Sequence, residues 1–256
     1  MQKKSIFWYL TAPLRFLYKI YFLLIFFALA FLLYPFFFVL LRSKRHVHKA
    51  FKLKRFWAKV LLVLTWVRVK INGKENLVSE PCVICANHAS YLDIVVMFVV
   101  IPNTFLFLGK AELLKWPVVR IFFRNMDIPV DRSNSFKARE SIEQTKEAIQ
   151  EGFSIAIFPE GLIPVENVPK MKPFKRGAFV LAMSQEAPIQ PITFSTNWKL
   201  FATESHPFGA GCPGLSKVVI HPAIETKGME ENQMTRLIQQ TFEAIESGME
   251  NEKKSR

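Results

Sequence analysis

The chain has 256 residues, half of them apolar and 21% charged, which suits one domain with a buried core and excludes both a large multidomain machine and a disordered chain. Its net charge of +13 is concentrated in residues 1–70, which hold 14 Lys and Arg and no acidic residue. The other 186 residues hold 20 basic and 21 acidic side chains, which argues against an extended nucleic-acid surface there.

The first predicted element is a membrane helix. The run Ile20–Leu41 contains 22 residues without a charge, and a helix of that length covers the hydrocarbon core of about 30 Å in a bilayer. A cleaved signal peptide is the alternative, but its apolar region would be only about 7–15 residues long and would end at small residues. This run instead ends in Pro35 and three Phe residues, with Arg42 shortly after. We therefore predict a retained N-terminal membrane anchor.

The sequence leaves open how this anchor meets the membrane. Basic residues flank the apolar run on both sides, and the positive-inside rule assigns the heavier side to the cytoplasm. A re-entrant hairpin with Pro35 as its break fits the same charges. A second apolar run, Phe56–Val67, is too short to span and is predicted to lie in the interface or to pack on the first helix. The basic cluster from Arg42 to Arg55 is expected among anionic headgroups, with a solvated linker as the alternative.

Short β-rich runs alternate with amphipathic stretches beyond the turn signal at Asn72-Gly73. The clearest helices are Ser135–Gln150 and a final helix whose apolar face extends from Met234 to Met249. The predicted strands are Cys82–Ala86, Thr104–Leu108, Ile128–Val130, Phe153–Phe158, Pro188–Phe194 and Ser216–Ile220.

This alternation predicts an α/β fold, with a mostly parallel sheet flanked by helices and an N-terminal helical membrane anchor. We expect residues 1–70 to form the membrane-anchoring segment. Residues 71–256 would then form the α/β domain that carries the function.

Two motifs that would imply a cofactor or a metal are set aside. The glycines of Gly209–Gly214 match the dinucleotide-binding pattern, but no strand is predicted before them, Pro213 interrupts them and a strand follows. Cys82 and Cys85 have no second cysteine pair to complete a zinc site. We predict neither a resident cofactor nor a bound metal, and the few cysteines suit a reducing compartment.

Polar residues follow three of the predicted strands. Asn87-His88 follows the first strand, Asp131-Arg132 follows the third, and Pro159-Glu160-Gly161 follows the fourth. Ligands of open α/β sheets bind outside the carboxyl ends of the strands, so these loops are predicted to converge on one cleft.

His88 and Asp93 are the candidate acid–base pair of this cleft. On a regular helix the two would lie about 140° apart, so they meet only if His88 is on the loop and Asp93 is in the first turn of the next helix. Asp93 would then orient the imidazole, and the far ring nitrogen would act as a base. The alternatives are a structural histidine and a capping box from Ser90 to Asp93, and the capping and catalytic roles are compatible.

Five blocks follow one another along the chain: Asn87-His88-x4-Asp93, Gly109-Lys110-x-Glu112-Leu113, Val130-Asp131-Arg132, Phe158-Pro159-Glu160-Gly161 and Pro188-Ile189-x-Pro191. In order and spacing the sequence resembles the glycerolipid acyltransferase family, which includes 1-acylglycerol-3-phosphate acyltransferases. The similarity covers about residues 72–222, with a further matching block at Pro173–Ala178. The resemblance implies a membrane-bound α/β enzyme that uses acyl-CoA or acyl carrier protein as acyl donor and a lysolipid as acceptor.

By this resemblance, His88 deprotonates the acceptor hydroxyl and Asp93 holds His88. Lys110 and Arg132 would supply positive charge for a phosphate, and the turn Glu160-Gly161 would order the acceptor side. The residue types suit this chemistry, because a thioester is already a good electrophile and a hydroxyl needs only one base. The expected substrate-binding residues are Asn87, Lys110, Arg132, Glu160, Gly161 and Lys175.

Two departures from the family pattern bear on the acceptor. Leu162-Ile163 stands where the family usually has Thr and a phosphate-binding Arg, and Met126 stands where a glycine is usual. Either the headgroup is not a phosphate monoester, or another basic residue holds it, from the set Lys170, Lys172, Lys175 and Arg176. We predict acylation of 1-acylglycerol-3-phosphate to phosphatidic acid because Arg132 is kept. The alternative acceptor is a lyso amino-acid lipid or another lysophospholipid.

A hypothesis of another class is a non-catalytic protein whose basic segment binds anionic lipid at the membrane surface. The ordered motif blocks count against it. We expect three partners: a lysolipid acceptor, acyl-CoA or acyl carrier protein, and the anionic membrane, with no nucleic acid. The expected location is the cell membrane, with the catalytic domain on the cytoplasmic face, in phospholipid biosynthesis.

Overall fold

The computed structural model describes residue 8 and residues 10–115, 117–123, 125–131, 135–164, 168–202 and 209–254. The helices in these residues are α1 (Ala12–Leu40), α2 (Val47–Leu64), α3 (Leu92–Val100), α4 (Pro117–Arg120), α5 (Ser135–Gln150), α6 (Gly177–Ser184), α7 (Asn197–Leu200) and α8 (Met234–Lys254). The strands are β1 (Val67–Asn72), β2 (Val83–Ala86), β3 (Phe105–Lys110), β4 (Ile128–Val130), β5 (Ser154–Ile157), β6 (Ile189–Phe194) and β7 (Gly214–Ile220).

The strands of the described chain form one sheet in the order β1-β7-β6-β2-β5-β3-β4. Neighbouring strands are parallel except for β6 and β7, which are antiparallel. The register aligns Val83 of β2 with Ile155 of β5 on one side and with Ile189 of β6 on the other. These three strands are buried along their whole length, as expected for parallel strands covered by helices on both faces. The predicted α/β class and its mostly parallel sheet are confirmed.

Strand β1 is the element that the sequence did not predict. Its residues alternate between apolar and outward-facing polar side chains, and Val67 pairs with Gly214 at the start of β7. Trp66, with φ of 52°, turns the chain from α2 into β1. Because the apolar run Phe56–Val67 covers both the end of the helix and the start of the strand, periodicity did not separate them. Strand β1 lies on both sides of the expected boundary after residue 70, and the division into two parts stays a prediction.

The two clearest helix predictions are confirmed. Helix α5 has the predicted limits, and α8 begins at the predicted Met234. The predicted apolar face of α8 is buried at Met234, Leu237, Ile245 and Met249. A hydrogen bond from Thr193 Oγ1 to the Ile245 carbonyl (2.7 Å) joins this face to β6.

Helices α1 and α2 form an antiparallel pair. Tyr18, near the start of α1, donates from its hydroxyl to the carbonyl of Thr65 at the end of α2 (2.8 Å). Further along, the rings of Phe26 and Trp57 pack edge to face with centroids 4.7 Å apart. Helix α1 continues through Pro35 to Leu40, so the alternative of a hairpin broken at Pro35 is wrong in the position of its break. The reversal comes after Leu40, where a short 3-10 turn leads into α2.

The α/β region contacts α1 near both of its ends. Towards the start, Phe22 packs on Phe201 with centroids 4.6 Å apart. Towards the end, Phe37 packs on Phe122 (4.9 Å), and Asn125 Nδ2 donates to the Leu41 carbonyl (2.8 Å). The opposite side of α1 is exposed and apolar, and in the described residues α1 is the one helix long and apolar enough to cross a membrane. This helix indicates association with a membrane.

One member of the basic cluster is inside the protein. Lys54 of α2 forms a buried ion pair with Asp127 (Nζ to Oδ2, 2.6 Å), and its Nζ lies 4.2 Å from the ring centroid of Phe122. Asp127 Oδ1 also accepts from the Phe107 N–H (3.1 Å). The expectation that this charge lies among lipid headgroups is therefore wrong for Lys54. The reason is that an acid 73 positions later in the chain compensates its burial.

Candidate active site

The parallel strands β2, β3, β4 and β5 end at the same edge of the sheet, because parallel strands share their direction. The loop after β2 carries His88, and the loop after β5 carries Phe158 and Glu160. Strand β6 also ends at this edge, where Phe194 leads into α7. The predicted convergence of the loops after β2 and β5 is thus found in the structure.

His88 and Asp93 meet in the predicted way, with His88 on the loop and Asp93 in the first turn of α3. His88 Nδ1 lies 3.1 Å from Asp93 Oδ2. Because an ionised carboxylate only accepts hydrogen bonds, Nδ1 carries a proton, and in the neutral ring Nε2 keeps a free lone pair. The pair can therefore present a base at the nitrogen that points away from Asp93.

Asp93 is fully buried and also caps the start of α3. Its Oδ2 accepts from the backbone N–H groups of Ala89 and Ser90, both at 2.9 Å. The hydroxyl of Ser90 accepts from the Leu92 N–H (3.1 Å), so the helix start is capped from both sides. The capping and ring-orienting roles of Asp93 coexist, because one carboxylate oxygen serves both.

Aromatic stacking fixes the plane of the His88 ring. The ring lies on Phe158 with centroids 3.8 Å apart and an interplanar angle of 11°. Phe158 in turn stacks on Phe107, at 6.0 Å and 17°. Phe158 belonged to a motif block, but no role of its own was predicted for it. Its position directly after a buried strand, next to the predicted Glu160, was the available signal.

Glu160 ties two loops together beside the dyad. Its Oε1 accepts from the His88 N–H (2.8 Å), and its Oε2 accepts from the Lys172 N–H (2.7 Å). Burial raises the pKa of this carboxyl, and the two N–H donors and His88 oppose that rise. The following Gly161 has φ of +77°, which an L side chain rarely adopts, and its N–H donates to the Phe158 carbonyl (3.0 Å).

Asn197 is the site residue that sequence reasoning missed. This buried side chain donates from Nδ2 to Asp93 Oδ1 (2.8 Å), and its Oδ1 accepts from the Ser216 hydroxyl (2.6 Å). It holds the carboxylate oxygen that His88 does not use. The signal available in the sequence was a run of polar residues directly after the predicted strand that ends at Phe194.

The segment that begins with Asn197 also reaches helix α1. The Phe201 carbonyl accepts from the Ser90 hydroxyl (2.5 Å), while the Phe201 ring packs on Phe22. The next carbonyl, that of Ala202, accepts from Lys19 Nζ (3.1 Å). Residues 197–202 therefore contact both the dyad loop and the apolar helix.

The remaining predicted substrate-binding residues lie in different settings. Asn87 is buried, and its side-chain amide pairs with both backbone groups of Phe194, at 2.8 and 3.1 Å. Lys110 is exposed and pairs with Glu112 (2.9 Å). Lys175 is exposed, and its N–H donates to the Pro159 carbonyl (2.9 Å). Arg132 lies outside the described residues.

The described residues offer no group of three or more His, Cys, Asp or Glu side chains placed to hold a metal ion. The two departures from the family pattern differ in setting. Leu162 is about half exposed beside the Glu160 turn, whereas Met126 is buried in the core. An apolar side chain thus stands at the surface where the family pattern has a hydrogen-bonding one.

A family model described as Acyltransferase matches residues 68–195, which is half of the chain and contains both members of the dyad. The chain belongs to the acyltransferase family. The match begins within β1 and ends directly after β6, so it spans six of the seven strands of the sheet, from β1 to β6.

Two of the similar proteins are named as 1-acyl-sn-glycerol-3-phosphate acyltransferases. The chloroplastic 1-acyl-sn-glycerol-3-phosphate acyltransferase BAT2 of Brassica napus is 29% identical over 194 residues, which cover 75% of this chain and 54% of that protein. The 1-acyl-sn-glycerol-3-phosphate acyltransferase of Saccharomyces cerevisiae is 30% identical over 155 residues, covering 60% of this chain and 51% of that protein. The chain spans about half of the length of these relatives. The resemblance to glycerolipid acyltransferases is confirmed.

A solved structure has the same fold. The crystal structure of the 1-acyl-sn-glycerophosphate (LPA) acyltransferase PlsC from Thermotoga maritima matches with a TM-score of 0.71 at 21% identity. The match covers 92% of this chain and 98% of that one, so it includes the helices before the sheet as well as the sheet.

Proposed function

We propose that the protein transfers a fatty acyl group from an acyl thioester to the hydroxyl of a lysolipid, with 1-acylglycerol-3-phosphate as acceptor and phosphatidic acid as product. The observation that carries this proposal is the His88–Asp93 pair. Two contacts hold the His88 ring: Asp93 fixes its Nδ1, and Phe158 fixes its plane. The names of the relatives support the acceptor.

In the proposed reaction, His88 Nε2 takes the proton of the acceptor hydroxyl as the hydroxyl oxygen attacks the thioester carbonyl carbon. The imidazolium formed lies beside the Asp93 carboxylate, which stabilises its charge. The carbon–sulfur bond then breaks, and the thiolate takes a proton back from Nε2. General base catalysis of this kind contributes about 10²–10⁴-fold, and positioning supplies the rest.

The phosphate of the acceptor needs a cation, and the segment around Lys172 is the best placed. The Lys172 N–H is bonded to the same Glu160 carboxylate that holds the His88 backbone, so this basic segment adjoins the dyad loop. Lys170, Lys175 and Arg176 belong to the same stretch of chain. We propose that this stretch, together with Lys110 and Arg132, binds the phosphate in place of the arginine that the family usually has at the position of Ile163.

An acyl donor of either kind, acyl-CoA or acyl carrier protein, is proposed as co-substrate. A lyso amino-acid lipid or another lysophospholipid remains the second candidate acceptor, because Leu162-Ile163 removes a bidentate phosphate contact from the usual position. A purely lipid-binding role is disfavoured, since binding alone requires no histidine held by a buried acid.

We propose that α1 and α2 attach the protein to one face of the cell membrane, with the site on the cytoplasmic side. The α/β region contacts α1 near both ends, so a spanning α1 would draw the sheet into the bilayer. The exposed apolar side of α1 can instead enter the membrane from one face while the other side stays packed on the protein. This arrangement supports the re-entrant alternative, with its turn after Leu40.

The test uses the full chain in membranes, labelled acyl-CoA or acyl carrier protein, and a panel of lysolipids. We expect transfer to 1-acylglycerol-3-phosphate and its loss in His88→Ala. Arg132→Ala should reduce the preference for this acceptor over lysolipids without a phosphate monoester, while the matched control Arg139→Ala, an exposed arginine of α5, should not. No transfer to any lysolipid, or full activity in His88→Ala, would overturn the proposal.

A further inference from the structure

One cavity lies on a part of the molecule that the proposed reaction does not use. It has a volume of about 840 Å³, within the range of about 300–1,000 Å³ usual for ligand sites. It opens between the end of α2, the start of β1, the end of α3 and the chain before β7. Its apolar lining includes the buried Leu62 and the partly exposed Val69 and Val99. We call it the β1 groove.

Two cations border the β1 groove. Lys59 of α2 and Arg68 of β1 line it, and both are exposed. Neither has an ion-pair partner among the residues that the structure describes. Residues 1–70 contain no acid at all, so the neighbouring sequence does not supply a compensating charge. An apolar groove with two uncompensated cations matches a ligand with an apolar chain and an anionic end.

Trp66 holds an indole at the mouth of the groove. The residue has φ of 52°, a conformation that bulky side chains rarely adopt, yet the residue is 65% exposed instead of buried. The indole stacks on the ring of Tyr21 from α1, with centroids 5.6 Å apart and an angle of 15°. Tyr21 donates from its hydroxyl to the Leu64 carbonyl (2.7 Å), which fixes the pair. Trp and Tyr are the residues enriched where membrane meets water.

The groove adjoins the apolar side of α1 through Trp66, which lines the groove and stacks on Tyr21 of α1. Leu17 and Leu24 lie one helical turn before and after Tyr21, on the same side of the helix, and both are exposed. A lipid beside these side chains therefore has the Trp66–Tyr21 pair and the groove as its immediate neighbours. This adjacency selects a membrane lipid over a water-soluble anion as the occupant.

We propose that the β1 groove binds one anionic glycerophospholipid of the membrane, with an acyl chain against Leu62, Val69 and Val99 and the phosphate between Lys59 and Arg68. The site is separate from the dyad, which is built from the loops after β2 and β5 and from α7. A lipid bound there would hold α2 and β1 to the bilayer. The proposal does not depend on the acyl-transfer reaction.

The test is fluorescence quenching of the full chain reconstituted in vesicles. One set of vesicles holds phosphatidylcholine with brominated phosphatidylglycerol, and the other holds the same amount of brominated phosphatidylcholine. The signal of Trp66 is the difference between the wild type and Trp66→Phe. We expect stronger quenching of this signal by the anionic brominated lipid, because the bromines on its chain lie in the groove.

The double variant Lys59→Gln/Arg68→Gln should lose the preference for the anionic lipid and fall to the level of phosphatidylcholine. Its matched control is Lys52→Gln/Lys70→Gln, which removes the same charge from exposed positions on α2 and β1 outside the groove. Val63→Glu, an exposed change at the groove, should also remove the preference without disturbing the fold.

Equal quenching by the two brominated lipids in the wild type would overturn the proposal. So would a preference that survives in Lys59→Gln/Arg68→Gln or that disappears equally in the control. The variant His88→Ala should keep the preference, so a failure of the proposed catalytic mechanism and a failure of this lipid site are distinguishable.

Discussion

Two histidines are buried to nearly the same degree in this protein, His88 at 9% exposure and His221 at 8%. His88 Nδ1 faces the carboxylate of Asp93 at 3.1 Å, whereas His221 Nε2 faces the hydroxyl of Thr193 at 2.8 Å. Burial lowers the pKa of His221 to about 4, so its ring stays neutral near pH 7. A positive charge on His88 would instead lie beside a negative one. Burial alone therefore does not make a base, and the partner decides the role.

The surroundings of His221 are those of a structural link. The Thr193 hydroxyl that meets its ring also donates to the Ile245 carbonyl of α8 (2.7 Å). The His221 carbonyl accepts from Gln190 Nε2 (2.6 Å), and the His221 N–H donates to the Pro191 carbonyl (3.1 Å). His221 joins β6, the chain after β7 and α8, at a distance from the loops that carry the dyad.

Replacing each histidine in turn should separate an effect on catalysis from an effect on stability alone. We expect His88→Ala to lower kcat by about 10²–10⁴-fold, because it removes the base, at temperatures where the variant is still folded. We expect His221→Gln to keep kcat and to lower the midpoint, because its links to β6 change. Acyl-transfer kinetics and urea unfolding of the same preparations measure both. A large loss of kcat in His221→Gln would end the distinction between the two rings.

Neutralising the partner of His88 should make the two histidines alike. In Asp93→Asn the ring has a neutral neighbour, as His221 has, and we expect kcat to fall by at least about 10²-fold. The amide still occupies the start of α3, so helix content should be retained. Kinetics and circular dichroism check the two statements, and near-normal kcat would show that the charge of Asp93 is not needed.

The next largest effect on kcat is expected from removing the hydrogen bond that Asn197 donates to Asp93. Asn197→Ala removes a hydrogen bond to a charged group, worth about 1.5–3 kcal/mol, and we expect kcat to fall by about 10–100-fold with KM for the acyl donor unchanged. Ser216→Ala removes a bond one step further from Asp93 and should have a smaller effect. Equal effects of the two variants, or a change confined to KM, would contradict a positioning role for Asn197.

The smallest expected effect is on how the stability of the fold depends on pH. The pKa of His221 is lowered from its ordinary value of about 6.5 to about 4. Between pH 6.5 and pH 4, roughly, this residue therefore binds a proton in the unfolded chain but not in the folded protein. Stability is therefore expected to fall as pH decreases through this window. In His221→Gln that part of the pH dependence should disappear. Unfolding midpoints at closely spaced pH values measure it, and an unchanged dependence in the variant would contradict it.

The sequence was informative where residues act within short distances along the chain. The five-residue spacing of His88 and Asp93 required a loop followed by a helix turn, and the structure has that arrangement. The Glu160 loop was predictable from a strand followed by polar residues. Both inferences used the edge that parallel strands share.

The sequence was less informative where a residue depends on a distant partner. Asn197 meets Asp93 across 104 positions, and Lys54 meets Asp127 across 73, so neither role is visible locally. Strand β1 was missed because its apolar residues continue those of the preceding helix. Pro35 fitted a break in one of the two alternatives for the anchor, whereas the helix continues through it. In each case tertiary packing outweighs the local signal.

The segment 197–202 has a consequence for attempts to make a soluble form of this protein. A chain cut before α2 would lack Lys19 and Phe22, leaving the Ala202 carbonyl without that donor and the Phe201 ring without its cover. The loosened segment is the one that carries Asn197. A trimmed protein should therefore turn over slowly even when it is folded and supplied with substrate in micelles. The helix with the exposed apolar side therefore also packs against the segment that holds Asp93 through Asn197.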